Sequence, residues 1–261
     1  MNIIINITPD YQAHAVVVFE RLQELGDNLK KVLVLTNAAS KWTTLNLWAQ
    51  KHDVEIKFHI ISPLADMELN DRFDSIIYGR LFLNEVDFFN RGLYLDVDIW
   101  PQQGLTRLWT ECDKNLVYGV QDLNANKQIN RLHRLGFEGI KTYINAGVIL
   151  FNDLAKLERE FAKMQKLIAY DFKYHDQDII NIVLGNKFTL LPSRFNHMSF
   201  SYSRHVILVH FAHSKPWRLP CFHQSADKFY FRLKEYEPNI VRKLLPMSRI
   251  IRLIILKVIK K

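Results

Sequence analysis

Two carboxylates separated by one residue directly follow a short apolar segment. Asp96 and Asp98 come after Leu93-Tyr94-Leu95, which predicts a short buried strand. Open α/β sheets bind their ligands at the carboxyl ends of strands. Carboxylate oxygens suit Mg²⁺ or Mn²⁺, and proteins often share such an ion with a substrate phosphate. The segment therefore predicts a metal site, with a surface turn as the alternative because Asp is also common in turns.

Three further blocks with polar side chains lie downstream. Asn145-Ala146-Gly147 interrupts an apolar strand, where a glycine often marks close approach of a ligand or backbone. Asp176-Gln177-Asp178 opens a helix, so the helix dipole also explains its acids. His210 ends a strand and Lys215 follows it. Taken alone, the histidine fits a structural role and the lysine fits a solvated surface position.

Alternating strands and helices must position these blocks. Apolar runs predict strands at 3–7, 31–36 and 54–61, and helical periodicity predicts helices between them, the first capped by Asp10. Such β-α-β steps favour a mixed, mostly parallel sheet with helices on both faces. A further helix starting at Asp71 or Asp74 would carry Arg80. Residues 122–141 are polar and poorly periodic, which predicts a long loop that is either functional or disordered.

The chain has 261 residues and a net charge of +8. Seven of its 35 basic residues and none of its 27 acidic residues lie in 242–261, so the remainder is nearly neutral. A spread nucleic-acid surface is therefore not expected. The start predicts no secretory signal, no apolar run is long enough to span a bilayer, and Cys112 and Cys221 fit free thiols in a reducing cytoplasm.

The four blocks, in this order and at these separations, resemble glycosyltransferase family 8, which includes bacterial lipopolysaccharide galactosyl- and glucosyltransferases. The resemblance extends from about Ile3 to Trp217. It implies an α/β GT-A fold, a divalent ion, usually Mn²⁺, and transfer of a hexose from a UDP-sugar with retention of the anomeric configuration. The acceptor would be a sugar of lipopolysaccharide, lipooligosaccharide or a related surface glycan, and galactose and glucose stay open as the donated hexose.

The resemblance also implies individual roles. Asp96, Asp98 and His210 match the metal ligands, and Lys215 matches a lysine that contacts the diphosphate. The remaining donor-site matches are Val97 between the two acids, Arg80 near the donor sugar, Asn145, Ala146 and Gly147 along the sugar pocket, and Asp176 with Gln177 facing the hexose. The first loop would bind the base, through Thr8 or instead through Asp10 and Tyr11.

Retention needs a particular chemistry at the anomeric carbon. A double displacement requires a carboxylate nucleophile beneath that carbon. In the family the nearest side chain is generally the glutamine, here Gln177, which is a poor nucleophile. We therefore favour attack by the acceptor hydroxyl on the face that the diphosphate leaves, with Asp178 open as a transient nucleophile.

The end of the chain has a composition of its own. Residues 246–261 combine Ile and Leu with interspersed basic residues, which is typical of a helix lying on an anionic membrane surface. A terminal helix packed on the body is the alternative. We expect a catalytic domain at 1–220, a helical region with this tail at 221–261, and a cytoplasmic location on the inner face of the membrane.

Two other functions compete with glycosyl transfer. A metal-dependent nucleotidyltransferase or phosphohydrolase would also use Asp-x-Asp, although such sites normally add further carboxylates or a Gly-rich phosphate loop. A non-catalytic membrane-surface protein would use the basic tail, but it would leave the metal-type blocks without a purpose.

Overall fold

A computed structural model describes residues 1–39, 41–62, 75–201, 203–221 and 223–244, together with 250, 251 and 254. The strands are β1 Asn2–Asn6, β2 Lys31–Thr36, β3 Glu55–Ile60, β4 Gly92–Leu95, β5 Ile99–Pro101, β6 Val117–Gln121, β7 Ile144–Phe151, β8 Phe188–Leu191, β9 Leu208–His210, β10 Arg218–Leu219 and β11 Lys243–Leu244. The α-helices are α1 Gln12–Glu24, α2 Thr43–His52, α3 Thr106–Glu111, α4 Ala125–His133, α5 Glu158–Lys166, α6 His175–Leu184 and α7 Ser225–Tyr236.

A seven-stranded sheet in the order β3-β2-β1-β4-β7-β6-β8 forms the centre of the molecule. Its pairings are parallel except for the two made by β7, which runs antiparallel to β4 and β6. This confirms the predicted α/β class with a mixed, mostly parallel sheet. All eight residues of β7 are buried, as expected for a central strand covered on both faces.

Because β7 runs in the reverse direction, its start lies at the same edge of the sheet as the end of β4. Because β7 is antiparallel to β4, its first residues lie beside the last residues of β4, with Leu95 opposite Val148. The two segments with the chemistry-bearing side chains, one after β4 and one at the start of β7, therefore meet at the same edge.

Each face of the sheet is covered by its own hydrophobic core. Successive side chains of a strand point to opposite faces, so Ile3 and Ile5 of β1 join one core and Ile4 joins the other. The first core includes α1, α2 and α7, and the second includes α5 and α6. In α7, Phe229 and Leu233 are fully buried against the first core.

A small antiparallel pair, β5 with β9, lies beside the main sheet. Its register places Ile99 opposite His210. The last predicted strand is therefore present, but it belongs to this separate ribbon. The pairing brings the end of β9 against the turn that follows β4.

Several local predictions were wrong. The polar stretch 122–141 contains α4 and is not a continuous loop. Asp10 does not cap α1, because a 3₁₀ turn over Pro9–Tyr11 precedes that helix and has Asp10 inside it. Arg80 lies in 3₁₀ structure over Ser75–Glu85 in place of an α-helix. Asp71, Asp74 and nearly all of the tail 246–261 lie outside the described residues.

Candidate active site

Asp96, Asp98 and His210 offer three possible ligand atoms within 4.8 Å of one another. Nε2 of His210 lies 3.6 Å from Oδ2 of Asp96 and 3.4 Å from Oδ1 of Asp98. Asp98 and His210 are buried, and Asp96 is partly open. Two carboxylates and an imidazole are a suitable donor set for Mn²⁺, and three protein ligands leave positions for other oxygens.

The backbone around β4 and β5 brings the two aspartates together. A turn over residues 96–98 separates these strands, and it places both carboxylates close to His210 at the end of β9. Val97, between them, is half-buried against the first core. The backbone N–H of Phe211 donates to the carbonyl of Asp98 at 3.0 Å, which ties the turn to the end of β9.

Gly147 lets the ligands approach β7. A Cβ atom at this position would lie 2.4 Å from Cε1 of His210 and 2.9 Å from Oδ2 of Asp96. Its carbonyl accepts a 2.9 Å hydrogen bond from the N–H of Asp96. The glycine predicted to mark a close approach thus lies directly against two of the three candidate ligands.

Neighbouring side chains orient the candidate ligands. The hydroxyl of Tyr94 donates to Oδ1 of Asp96 at 2.8 Å. The other ring nitrogen of His210, Nδ1, lies 2.9 Å from Oδ1 of Asn196. Partners of this kind fix the rotation of a metal-binding side chain and the position of its proton.

Lys215 lies against Asp98, with its Nζ atom in contact with Oδ2. Burial by itself raises the pKa of Asp98, but the charges of Lys215 and His210 outweigh it and hold that pKa well below its usual range. Burial lowers the pKa of Lys215, and Asp98 more than reverses this shift. The lysine therefore supplies a fixed positive charge next to the candidate metal ligands.

Arg80 joins three parts of the site. Its Nε lies 2.7 Å from Oδ2 of Asp176, an NH2 group lies 3.5 Å from Oδ1 of Asp96, and NH1 donates to the carbonyl of Ala146. The guanidinium also lies 4.1 Å from the ring centre of Tyr94. Burial raises the pKa of Asp176 to about 6, against the opposing effect of Arg80. Arg80 is buried, which excludes the other interpretation of its sequence position, an ordinary exposed helix residue.

Gln177 contacts the start of β7. Its Oε1 accepts hydrogen bonds from the N–H of Ala146 at 3.0 Å and from Nδ2 of Asn145 at 3.2 Å. Its Nε2 donates to the hydroxyl of Tyr143 at 3.3 Å. The predicted sugar-pocket residues and the predicted catalytic glutamine are therefore one connected group.

Asp178 is differently placed. Its side chain is fully buried, and it accepts hydrogen bonds from Arg131 at 2.5 Å, from the hydroxyl of Tyr143 at 2.6 Å and from the N–H of Tyr174 at 3.0 Å. A carboxylate that is closed off from the cleft and saturated with donors is a poor nucleophile. The geometry therefore argues against Asp178 as a transient nucleophile and gives it a structural role behind Gln177.

The first loop, between β1 and α1, lies beside Trp217, which follows Lys215 by two residues. Asp10 and Tyr11 are exposed and Thr8 is half-buried. The ring of Tyr11 lies 6.1 Å from that of Trp217 and 4.9 Å from that of His14. Of the three predicted residues of this loop, Tyr11 alone presents an exposed aromatic ring, a surface on which another flat ring can stack.

Four residues that contact the candidate site residues were not predicted from the sequence. The sequence indicates Tyr94 only as a strand residue and Arg131 only as part of the polar stretch 122–141, and it indicates no role for Tyr143 or Asn196. Each makes its contact across a large sequence separation or through a single buried polar atom. Local periodicity has no signal for such contacts.

Comparison with known proteins identifies relatives of this arrangement. The sequence model of glycosyl transferase family 8 matches residues 2–220. A lipopolysaccharide 1,2-glucosyltransferase of Escherichia coli is 29% identical over 220 residues, which cover 72% of this chain. The match spans only 63% of the length of that relative.

The fold also matches solved structures. The galactosyltransferase LgtC in complex with donor and acceptor sugar analogs superposes with a TM-score of 0.73 at 26% identity, over 90% of this chain and 96% of that one. An active-site mutant of LgtC gives a TM-score of 0.74 at 25% identity over the same shares. The GT-A architecture expected from the sequence is confirmed by this likeness.

Proposed function

Because the chain belongs to glycosyltransferase family 8, we propose that it is a retaining, metal-dependent hexosyltransferase that uses a UDP-sugar. The donated hexose is galactose or glucose. The acceptor is a sugar of lipopolysaccharide, lipooligosaccharide or a related surface glycan, in keeping with the lipopolysaccharide 1,2-glucosyltransferase to which the chain is similar.

One observation supports the proposal most strongly. Asp96, Asp98 and His210, which come from the end of β4, the start of β5 and the end of β9, converge on one point. These residues would hold Mn²⁺ or Mg²⁺, with the imidazole favouring Mn²⁺. Such an ion stabilises negative charge on a departing diphosphate as a Lewis acid. A phosphohydrolase would not need the sugar-pocket segment that adjoins this cluster.

The surrounding side chains bind and orient the donor. Lys215, already adjacent to Asp98, adds a positive charge for the diphosphate oxygens. Tyr11 provides a ring surface for the base. Arg80 holds Asp176 and the carbonyl of Ala146 in place, so the residues at the hexose keep a fixed geometry.

The environment of Gln177 favours same-face attack. Its amide is held by Ala146, Asn145 and Tyr143, so it can orient the sugar and support positive charge at the anomeric carbon through its dipole. Asp176 is occupied by Arg80 and Asp178 is buried. In this mechanism the acceptor hydroxyl attacks from the side of the leaving diphosphate and its proton passes to a phosphate oxygen.

We propose that the region beyond residue 220 attaches the protein to a membrane surface. The family match ends at residue 220, and α7 then packs on the first core. Residues 246–261, basic and rich in Ile and Leu, would contact anionic lipid on the cytoplasmic face. Among the described helices, none has the length and apolar content needed to cross a bilayer.

A donor screen tests the proposal directly. The purified full chain is incubated with UDP-galactose, UDP-glucose and other UDP-sugars with and without Mn²⁺, and products are resolved by chromatography. We expect slow, Mn²⁺-dependent release of UDP and free hexose from one donor. Release of UMP and hexose 1-phosphate would indicate a phosphohydrolase, and no turnover together with no UDP binding would overturn the proposal.

A further inference from the structure

Asn196 is a buried amide between the candidate metal ligands and the sugar-pocket residues. Its exposed fraction is 1%. Its Nδ2 lies 2.9 Å from Oδ1 of Asn145, and its Oδ1 lies 2.9 Å from Nδ1 of His210. The sequence predicts only a turn there.

The directions of these hydrogen bonds follow from two backbone donors. A backbone N–H can only donate, so the N–H of Ala146 identifies Oε1 of Gln177 as an acceptor at 3.0 Å. The N–H of Gly147 likewise identifies Oδ1 of Asn145 as an acceptor at 3.1 Å. The amide orientation of both side chains is therefore fixed by the main chain.

The remaining links then have one consistent arrangement. Because Oδ1 of Asn145 accepts, Asn196 must donate to it through Nδ2. Its Oδ1 consequently faces His210 and requires a proton on Nδ1 of that ring. When His210 is neutral, its Nε2 atom is therefore an unprotonated lone pair directed toward Asp96 and Asp98.

This tautomer decides whether the three side chains can bind a cation. With the proton on Nε2, His210 would donate to Asp98 and obstruct the metal position. With the proton on Nδ1, two carboxylates and a lone pair face one another, an arrangement that a cation stabilises. We propose that Asn196 is a positioning residue that holds His210 in its metal-binding tautomer and links it, through Asn145, to Gln177. The inference rests on the proposed metal site.

Mn²⁺ affinity of the full chain, measured by electron paramagnetic resonance without donor, tests the proposal. Asn196→Ala removes the acceptor for His210, and we expect Mn²⁺ binding to weaken about 10- to 100-fold. Asn196→Asp keeps an oxygen acceptor and is expected to keep Mn²⁺ affinity within about tenfold of wild type. Asn152→Ala, a distant half-buried amide bonded to Arg91 and Cys112, is the matched control and should bind as wild type does.

The outcomes separate this inference from the proposed function. Unchanged Mn²⁺ affinity in Asn196→Ala, or equal losses in both Asn196 variants, would overturn the role of Asn196 and leave the metal site intact. Absence of Mn²⁺ binding in the wild type would overturn both proposals. If Asn196→Ala does not fold, ¹⁵N NMR of the wild-type protein, at a pH where the His210 ring is neutral, identifies the tautomer of that ring. We expect the Nδ1–H tautomer, and the Nε2–H tautomer would refute the proposal.

Discussion

Nε2 of His210 lies 3.4 Å from Oδ1 of Asp98, although three strands of the main sheet lie between these residues along the chain. The antiparallel pairing of β5 with β9 produces this approach, because it sets Ile99 opposite His210. The site is therefore assembled by a small ribbon beside the sheet and not by the sheet edge alone.

The close packing at Gly147 yields the first prediction. In Gly147→Ala, the new methyl group would overlap His210 and Asp96, so we expect Mn²⁺ affinity to fall at least about tenfold. Gly139→Ala is the control, because a Cβ there would meet no heavy atom within 4 Å. The Mn²⁺ affinities of both variants are measured by titration. Equal affinities would show that the close packing at Gly147 does not constrain the ligands.

The buried charges of Arg80 and Asp176 predict a stability effect that is not additive. Arg80→Met leaves the buried carboxylate of Asp176 without its charge partner, and we expect the free energy of unfolding to fall by about 3–5 kcal/mol. Adding Asp176→Asn removes this uncompensated carboxylate and should restore part of that loss. Urea denaturation of Arg80→Met, Asp176→Asn and the double variant tests this, and strictly additive losses would contradict the coupling.

Asp178 and Arg131 should affect catalysis as a unit. Because Arg131 holds the carboxylate behind Tyr143 and Gln177, Asp178→Asn and Arg131→Met are expected to slow donor hydrolysis to similar extents. The double variant should be little worse than either single variant. A nucleophilic Asp178 would give another pattern, with near-complete loss in Asp178→Asn and a modest effect in Arg131→Met.

His14 predicts a pH dependence of stability. Burial lowers its pKa to about 4 from an ordinary 6.5, and its ring nitrogens have no hydrogen-bond partner in the described part of the chain. Between pH 6.5 and 4 the unfolded chain binds a proton at His14 that the folded chain does not, so stability falls as the pH falls. This contribution is about 3 kcal/mol.

His14→Phe separates this contribution from other acid-sensitive groups. Phenylalanine suits a position whose ring lies against Tyr11, Trp217 and Phe229. Chemical denaturation of both proteins at pH 7, 5.5 and 4 should show a smaller loss of stability in the variant. If the free energy of unfolding falls equally with pH in both proteins, folding does not lower the pKa of His14 and this prediction is wrong.

The sequence allowed the sheet and the four chemical blocks to be predicted because each has a local signal. The strands are continuous apolar runs, and the blocks combine carboxylates, small residues or a histidine at strand and helix ends. The GT-A fold follows from their order through the family resemblance.

Other features could not be predicted because their cause is tertiary. The helix α4 is an exception, because Ala125, Ile129 and Leu132 recur at helical spacing and pack on the second core, a pattern that predicts this helix from the sequence. The contact of Arg131 with Asp178 depends on that helix. Asn196 lies in a turn-like segment, and only the folded chain places its amide between His210 and Asn145.

The central claim is that Asp96, Asp98 and His210 bind one cation that holds the diphosphate of a sugar nucleotide. Calorimetric titration of UDP into the full chain, with Mn²⁺ or with EDTA, tests it most directly when wild type is compared with Asp98→Asn. We predict Mn²⁺-dependent UDP binding in the wild type and a loss of at least about tenfold in affinity in the variant. UDP binding that is equally tight in EDTA, or unchanged in Asp98→Asn, would contradict the claim.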